Sequence, residues 1–243
     1  MVEANPSTVE IGPEAYTAWR ASILGAITEA IELRLILRLA GPLRGQKVLD
    51  VGCGDGVLSL AAAEQGADVT GVDPDARMLD AARRRSVGAT LAVRFAEGRV
   101  ERLPFPDSTF DAVLAVTVLC FVPDADTAVR EMARVLKPGG RLVIGELGRW
   151  NLWAAWRRIR GWFGSRTWRH AWFRTMYELR MLAEGANLSV IDAQSAVFYP
   201  PVAILARLIA PADGWLGRKI SIGAAFHALA AAKSDLPNRS PHL

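Results

Sequence analysis

Val48-Leu49-Asp50-Val51-Gly52-Cys53-Gly54-Asp55-Gly56 runs apolar residues into an acid and then sets glycine at every second position. Val57-Leu58-Ser59-Leu60-Ala61-Ala62-Ala63 follows with helical character. The stretch reads as a buried strand, a tight turn and a helix start. Glycine there lets the backbone take positive φ and come close to a ligand, and a helix N-terminus offers N–H groups and partial positive charge. An Asp at the strand tip suits a cationic or hydroxyl-bearing ligand better than a bare phosphate. One Gly-rich turn is also compatible with an ordinary connection, so the remainder of the chain decides.

Downstream, Val69-Thr70-Gly71-Val72-Asp73 repeats the pattern of a short strand ending in an acid, and Pro74 precedes a helix expected from Asp75 to about Arg85. Thr90–Ala96 and Phe110–Val116 read as third and fourth strands. Asp124–Leu136 reads as a helix with Ala128, Met132 and Val135 on its apolar face. Lys137-Pro138-Gly139-Gly140 stops that helix before a fifth strand, Arg141–Leu147. Strands alternating with helices predict a doubly wound α/β fold with a parallel sheet, which binds ligands beyond the carboxyl ends of its strands. Asp50 and Asp73 both fall on that edge.

Upstream, residues 1–13 read as a loose terminus, and Ile23, Ile27, Ala30, Ile31, Leu35 and Leu39 predict one helix from Glu14 to about Ala40. Past the fifth strand the repeat lapses. Thr175–Ala186 is expected to be helical, and Leu188–Ala196 and Ile222–Ala232 to be strands separated by the proline-bearing stretch Phe198–Lys219.

The 243 residues are 51% hydrophobic, which fits a packed domain and argues against disorder. No apolar run approaches 18 residues, and the first residues lack the pattern of a signal peptide. Two isolated cysteines and three scattered histidines support neither a disulfide framework nor a metal site, and a cytoplasmic setting is expected. The net charge of +4 is local: 149–174 holds seven arginines and no acid, leaving 22 basic against 25 acidic side chains elsewhere.

Asp73 lies 19 positions beyond Gly54, where a carboxylate can accept bonds from both hydroxyls of a ribose; it can equally cap the following helix. Dinucleotide-binding folds share this acid, but their G-x-G-x-x-G differs from glycines at 52, 54 and 56 preceded by Asp50. An acid there would repel a pyrophosphate and favour an amino-acid moiety or a sulfonium. VLDVGCGDG, VTGVDPDARML (Val69–Leu79), ERLPFPDSTFDAVLA (Glu101–Ala115) and REMARVLKPGGRLVI (Arg130–Ile144) come in the order and spacing of one family. Over Val48–Leu147 the chain resembles the class I S-adenosylmethionine-dependent methyltransferases, in particular their broad type 11 group.

The resemblance implies a Rossmann-like, mostly parallel sheet of seven strands, the last antiparallel. It also implies one domain: a helical segment 1–45, a cofactor core 46–148, a substrate-side insertion 149–174, and a closing helix and strands over 175–243. Carried over motif by motif, Asp50 and the backbone of Gly52, Cys53 and Gly54 would hold the methionine part of S-adenosylmethionine. Asp73 would take the ribose, while Pro74 and Met78 would pack by the adenine. The family commonly reads Gly-Asp-Ala-Glu where this chain has Gly98-Arg99-Val100-Glu101; an arginine cannot accept the adenine amino group, which leaves the Val100 backbone. Val116 and Thr117 would border the methyl group. Transfer from a sulfonium gains most from proximity and orientation. Where a base is needed, His170 is the candidate; His227 reads as core or surface, and Cys120 as a small core residue.

By the same resemblance, Tyr16–Trp19, Leu119–Pro123 and Arg149–Arg174 would grip the acceptor. The last holds six of the eight tryptophans, and Leu152, Trp156, Ile159 and Phe163 form one helical stripe beside Arg157, Arg158 and Arg160. As a pocket wall it would put Trp153, Trp156 and Arg157 on the substrate. The alternatives are an interfacial helix on an anionic membrane, suited to a lipid or quinone acceptor, and a nucleic-acid surface, for which one basic stretch in an otherwise slightly acidic chain is thin support. The expected function is methyl transfer to O, N or C of a small apolar or anionic acceptor. The other readings are a membrane-surface lipid or quinone methyltransferase and a methyltransferase-like binding module without catalysis.

Overall fold

Val48, Leu49 and Val51 are apolar and buried on both faces of the first strand, as a central parallel strand covered by helices on both sides requires. The computed structural model describes residues 12–234, so the expected loose terminus lies almost wholly outside the described residues. The order is α1 (Pro13–Ala21), α2 (Ile23–Ala40), β1 (Lys47–Val51), α3 (Val57–Glu64), β2 (Asp68–Asp73), α4 (Ala76–Ala89), β3 (Arg94–Glu97) and β4 (Phe110–Val116). Then come α5 (Ala125–Val135), β5 (Leu136–Leu147), α6 (Leu152–Trp162), α7 (Arg166–Arg169), α8 (Met176–Gly185), β6 (Leu188–Ala196), α9 (Ala203–Leu216) and β7 (Phe226–Lys233).

The strands form one seven-stranded sheet in the order β3-β2-β1-β4-β5-β7-β6, parallel except that β7 runs antiparallel to both its neighbours. Strand order reverses between β1 and β4, so the loops after these strands flank the crevice where such sheets bind ligands. One core cluster fills the side covered by α5 and α8, and a second the side covered by α2 and α9.

Four expectations need correction, and one stretch without an expected element holds a helix. The single N-terminal helix is two, because Ser22 is extended and its hydroxyl both donates to Trp19 O (2.6 Å) and accepts from Gly25 N (3.0 Å). β3 starts at Arg94 and not Thr90, since α4 continues to Ala89 and Thr90 closes it in the left-handed region. β5 begins at Leu136, carrying the Pro-Gly-Gly stretch through a shift of register against β4. β7 begins at Phe226 and not Ile222. Phe198–Lys219 contains α9 despite Pro211; the buried Asp213 carboxylate anchors it by accepting from Val197 N (3.0 Å) and Phe198 N (2.9 Å).

Candidate functional site

Two adjoining cavities open at the carboxyl ends of β1, β2 and β4. The first, of about 360 Å³, is walled by Asp73, Pro74 and Met78 after β2, by Arg99, Val100 and Glu101 after β3, and by Val118 and Phe121 after β4. The second, of about 170 Å³, is walled by Asp50, Cys53 and Asp55 and by Trp19, Arg20, Glu29 and Glu32 of the first two helices. Tyr16, Gly52, Gly54, Val116 and Thr117 border both.

The glycine turn commits its own N–H groups to the protein. Gly52 N and Cys53 N both donate to Val72 O (2.7 and 3.0 Å), and Gly54 N donates to Asp73 Oδ2 (2.9 Å). What these three residues leave for a ligand is acceptor oxygen, which suits cationic and hydroxyl groups and not a pyrophosphate. Gly52 sits at φ +65°, and a Cβ there would lie 2.5 Å from Val118 Cγ2, so only glycine brings this backbone against the loop after β4.

Asp73 is both brace and candidate ligand group: Oδ1 accepts from Asp75 N (2.9 Å) while Oδ2 holds Gly54. Burial pushes its carboxyl up, against the pull of those two N–H groups. Asp50 is buried, accepts from Ser59 Oγ (2.5 Å), and is pushed up to about 7, first by burial and then by Asp73, with Ser59 opposing. Asp55 is clamped from two helices: Arg20 of α1 makes a bidentate pair with it, and Arg85 of α4 donates to its carboxylate (2.8 Å) and its carbonyl (3.1 Å). Helix α1, whose inward residues are only half-buried, is thereby tied to the turn.

Four groups were not anticipated from sequence. Glu32 faces the second cavity; burial pushes it up to about 7 against the opposing Arg157. Glu29 lies on the same wall. Glu101 lines the first cavity and pairs with Arg99 (3.1 Å), so a carboxylate is present although Arg99 stands at the customary acidic position. Glu146, at the end of β5, is fully buried; Oε1 accepts from Leu119 N (2.6 Å), fixing the 3₁₀ turn Leu119–Phe121, and Oε2 has no hydrogen-bond partner among the described residues. Glu146 is a lone acid in an apolar run, the one signal the sequence carries for it. Glu29 and Glu32 neighbour each other at helical spacing and Glu101 lies between Arg99 and Arg102, so none of the three stands out.

Of the remaining candidates, Trp19 and Thr117 line the cavities, but Trp153 stands behind, edge-on to Trp19 at 5.8 Å with Nε1 donating to Tyr199 O (2.7 Å). The Arg157 guanidinium lies over the rings of Trp153 (5.3 Å) and Trp168 (5.0 Å); it lines neither cavity and stands behind the wall, near enough to Glu32 to act on it. Trp156 points outward because the buried face of α6 is Trp153, Ala154 and Gly161, and His170, just past α7, is exposed; neither lines a cavity. His227 is buried in β7 against Ser195 Oγ (2.9 Å), and burial pushes the Cys53 and Cys120 thiols up, away from nucleophile chemistry.

Burial sets a sign on pH. Glu146 is pushed up to about 7, first by burial, with Arg174 and the Leu119 N–H opposing. Between its ordinary 4.5 and about 7 the folded state holds the proton that the unfolded state has lost, so stability falls as pH rises through that window. Asp50 and Glu32 act in the same direction. Glu146→Gln is expected to retain the Leu119 contact and remove about 3 kcal/mol of that decline between pH 4.5 and 7.5. Parallel urea-denaturation curves for mutant and wild type across that range would exclude it.

Residues 49–144 match the protein-family model for a methyltransferase domain. Over 120 residues the chain is 40% identical to a ubiquinone biosynthesis O-methyltransferase of Bordetella avium, covering 49% of this chain and 50% of that protein. Over 162 residues it is 36% identical to a ubiquinone biosynthesis O-methyltransferase of Idiomarina loihiensis, covering 64% of this chain and 67% of that protein. The chain thus spans about half the length of the first and two thirds of the second. Among solved structures, a SAM-dependent methyltransferase of Thermotoga maritima superposes with a TM-score of 0.68 at 23% identity, covering 91% of this chain and 96% of that one, a likeness of fold.

Proposed function

Because the chain belongs to the class I S-adenosylmethionine-dependent methyltransferases, we propose that it methylates a small apolar acceptor, at a ring hydroxyl of the quinone-precursor type. The observation that carries this reading is the pair of adjoining cavities. One is mostly apolar, its polar side chains being Asp73, Asp75, Tyr16, Thr117 and the Arg99–Glu101 pair; the other gathers carboxylates beside the glycine turn. The names of the two O-methyltransferase relatives favour oxygen as the atom.

The residues fit the cofactor. Each oxygen of Asp73 accepts one N–H and retains a lone pair, enough for two ribose hydroxyls. Pro74, Met78 and Val100 offer apolar contact to an adenine, and Glu101 an acceptor for its amino group. Asp50 and the carbonyl side of the turn would take a methionine ammonium. Bound there, S-adenosylmethionine supplies a methyl group already activated by its sulfonium. The protein then has to orient an acceptor, exclude water and take a proton.

Orientation falls to Tyr16, Val116, Thr117 and Phe121 around the junction of the cavities. Proton acceptance falls to Glu32, which borders the second cavity and titrates near neutrality. Tyr16 is pushed up to about 12, mainly by burial, and stays a neutral hydrogen-bonding wall. The test is methyl transfer from labelled S-adenosylmethionine to a prenylated catechol. Glu32→Gln is expected to lower kcat by about 100-fold or more, remove the limb of the rate profile near pH 7, and leave cofactor affinity within twofold. Unchanged kcat would take Glu32 out of the reaction; no transfer to any ring hydroxyl would overturn the acceptor class.

A further inference from the structure

The aromatic, basic stretch is oriented against expectation. Viewed down α6, Trp153, Ala154 and Gly161 face the protein, whereas the apolar stripe faces solvent: Leu152 is 63% exposed, Trp156 52%, Ile159 39% and Phe163 86%. These four recur at helical spacing over about 16 Å. Trp150, Trp162 and Trp172 are exposed around them, as are Arg160 and Arg169, which make no ion pair among the described residues. On the same side of the sheet, α9 carries a second outward apolar row, Ile204, Leu208 and Trp215. Trp153 and the segment entering α9 are joined by the bond to Tyr199 O.

We propose that the outward face of α6 docks on an anionic lipid bilayer, lying along the headgroup boundary with indoles at headgroup depth and guanidinium groups on lipid phosphates. Exposing this much aromatic surface to water is unfavourable unless something covers it. The charge around it selects the cover. The stretch 149–174 holds no acid. Arg149 is paired with Glu178 (2.7 Å) and Arg157 lies over two tryptophan rings, but Arg160 and Arg169 stand exposed with no ion pair among the described residues. The face they flank is therefore cationic and complements an anionic surface. A second copy related by a two-fold axis would set arginine against arginine across the same patch, which disfavours a dimer through this face. No helix among the described residues is long and apolar enough to cross a membrane, so the contact is peripheral.

Behind the docked face, Trp153 on the inward side of α6 stands edge-on to Trp19, which walls the second cavity. Delivery of a membrane-dissolved acceptor through that wall rests on the methyl-transfer reading; docking does not.

The test is flotation of the full chain with vesicles of phosphatidylcholine alone or with phosphatidylglycerol, at low and high salt. Wild type is expected to float with the anionic vesicles at least tenfold better than with the neutral ones, and less at high salt. Leu152→Gln, Ile159→Gln and Phe163→Gln together should abolish flotation while leaving the thermal midpoint and the calorimetric affinity for S-adenosylmethionine unchanged. Arg160→Glu with Arg169→Glu should remove the preference for anionic lipid. Failure of wild type to float with either vesicle overturns the proposal, and so does flotation undiminished in the triple variant. A dimer in sedimentation that the triple variant dissolves would assign the face to a second copy instead. Cofactor affinity measured in the same samples keeps a failure of docking distinct from a failure of the methyltransferase reading.

Discussion

Asp73→Ala is expected to weaken S-adenosylmethionine binding by about 10- to 100-fold, or about 1–3 kcal/mol. The loss has two sources. The variant removes a partly desolvated carboxylate from the wall of the larger cavity, where ribose hydroxyls would meet it. It also unties Gly54 N, whose partner is Asp73 Oδ2, so the glycine turn loses its link to the end of β2. Asp73→Asn separates the two. The amide retains one oxygen able to accept Gly54 N or Asp75 N but lacks the charge, and it should fall between wild type and Ala. Titration calorimetry reads both variants, and a cofactor affinity for Asp73→Ala equal to wild type would remove Asp73 from the binding site.

The strands and the glycine turn that carry the proposed cofactor residues were legible because their signals are short-range. A strand tip, a turn that only glycine can make and the next strand tip lie within the 26 residues from Val48 to Asp73, and the parallel register sets Val51 beside Val72 without help from distant sequence. The acceptor half was not, for a different reason in each place. The stripe of α6 correctly grouped Leu152, Trp156, Ile159 and Phe163 on one face, but periodicity does not say which face turns inward. That was settled by Ala154 and Gly161, whose small size lets α6 approach the protein: a Cβ on Gly161 would stand 3.0 Å from the Trp168 backbone. Glu32 and Glu146 become informative only once burial is known, since the same residues on a solvated helix or strand would be ordinary. His170 stood out as a rare titratable residue in a distinctive stretch, yet the segment carries it into solvent, away from both cavities. The break at Ser22 was hidden because both helices continue one apolar spacing, while the interruption comes from a single hydroxyl competing for backbone partners.

That break makes Gly25 the position where the smallest change should have the largest effect on activity. Gly25 lies in the first turn of α2, and a Cβ there would fall 1.9 Å from Trp19 O and 3.0 Å from Ser22 Oγ, closer than atoms pack. The backbone of α2 gains from alanine, by about 1 kcal/mol relative to glycine, so the conflict is resolved by moving α1. That helix has no fully buried residue and is held by Arg20 on Asp55 and by the edge contact of Trp19 with Trp153. Yet it supplies Tyr16, Trp19 and Arg20 to the cavity walls. Gly25→Ala is therefore expected to shift the thermal midpoint by only a few degrees while lowering kcat/KM by about 100-fold, the scale set by a displacement of about 1 Å at a reacting centre. Arg20→Ala should act in the same direction more weakly, because it frees one end of α1 without forcing it outward. Wild-type kcat/KM in Gly25→Ala would mean that α1 is not a working wall of the acceptor site. Global unfolding would mean that the α1–α2 junction belongs to the stable core.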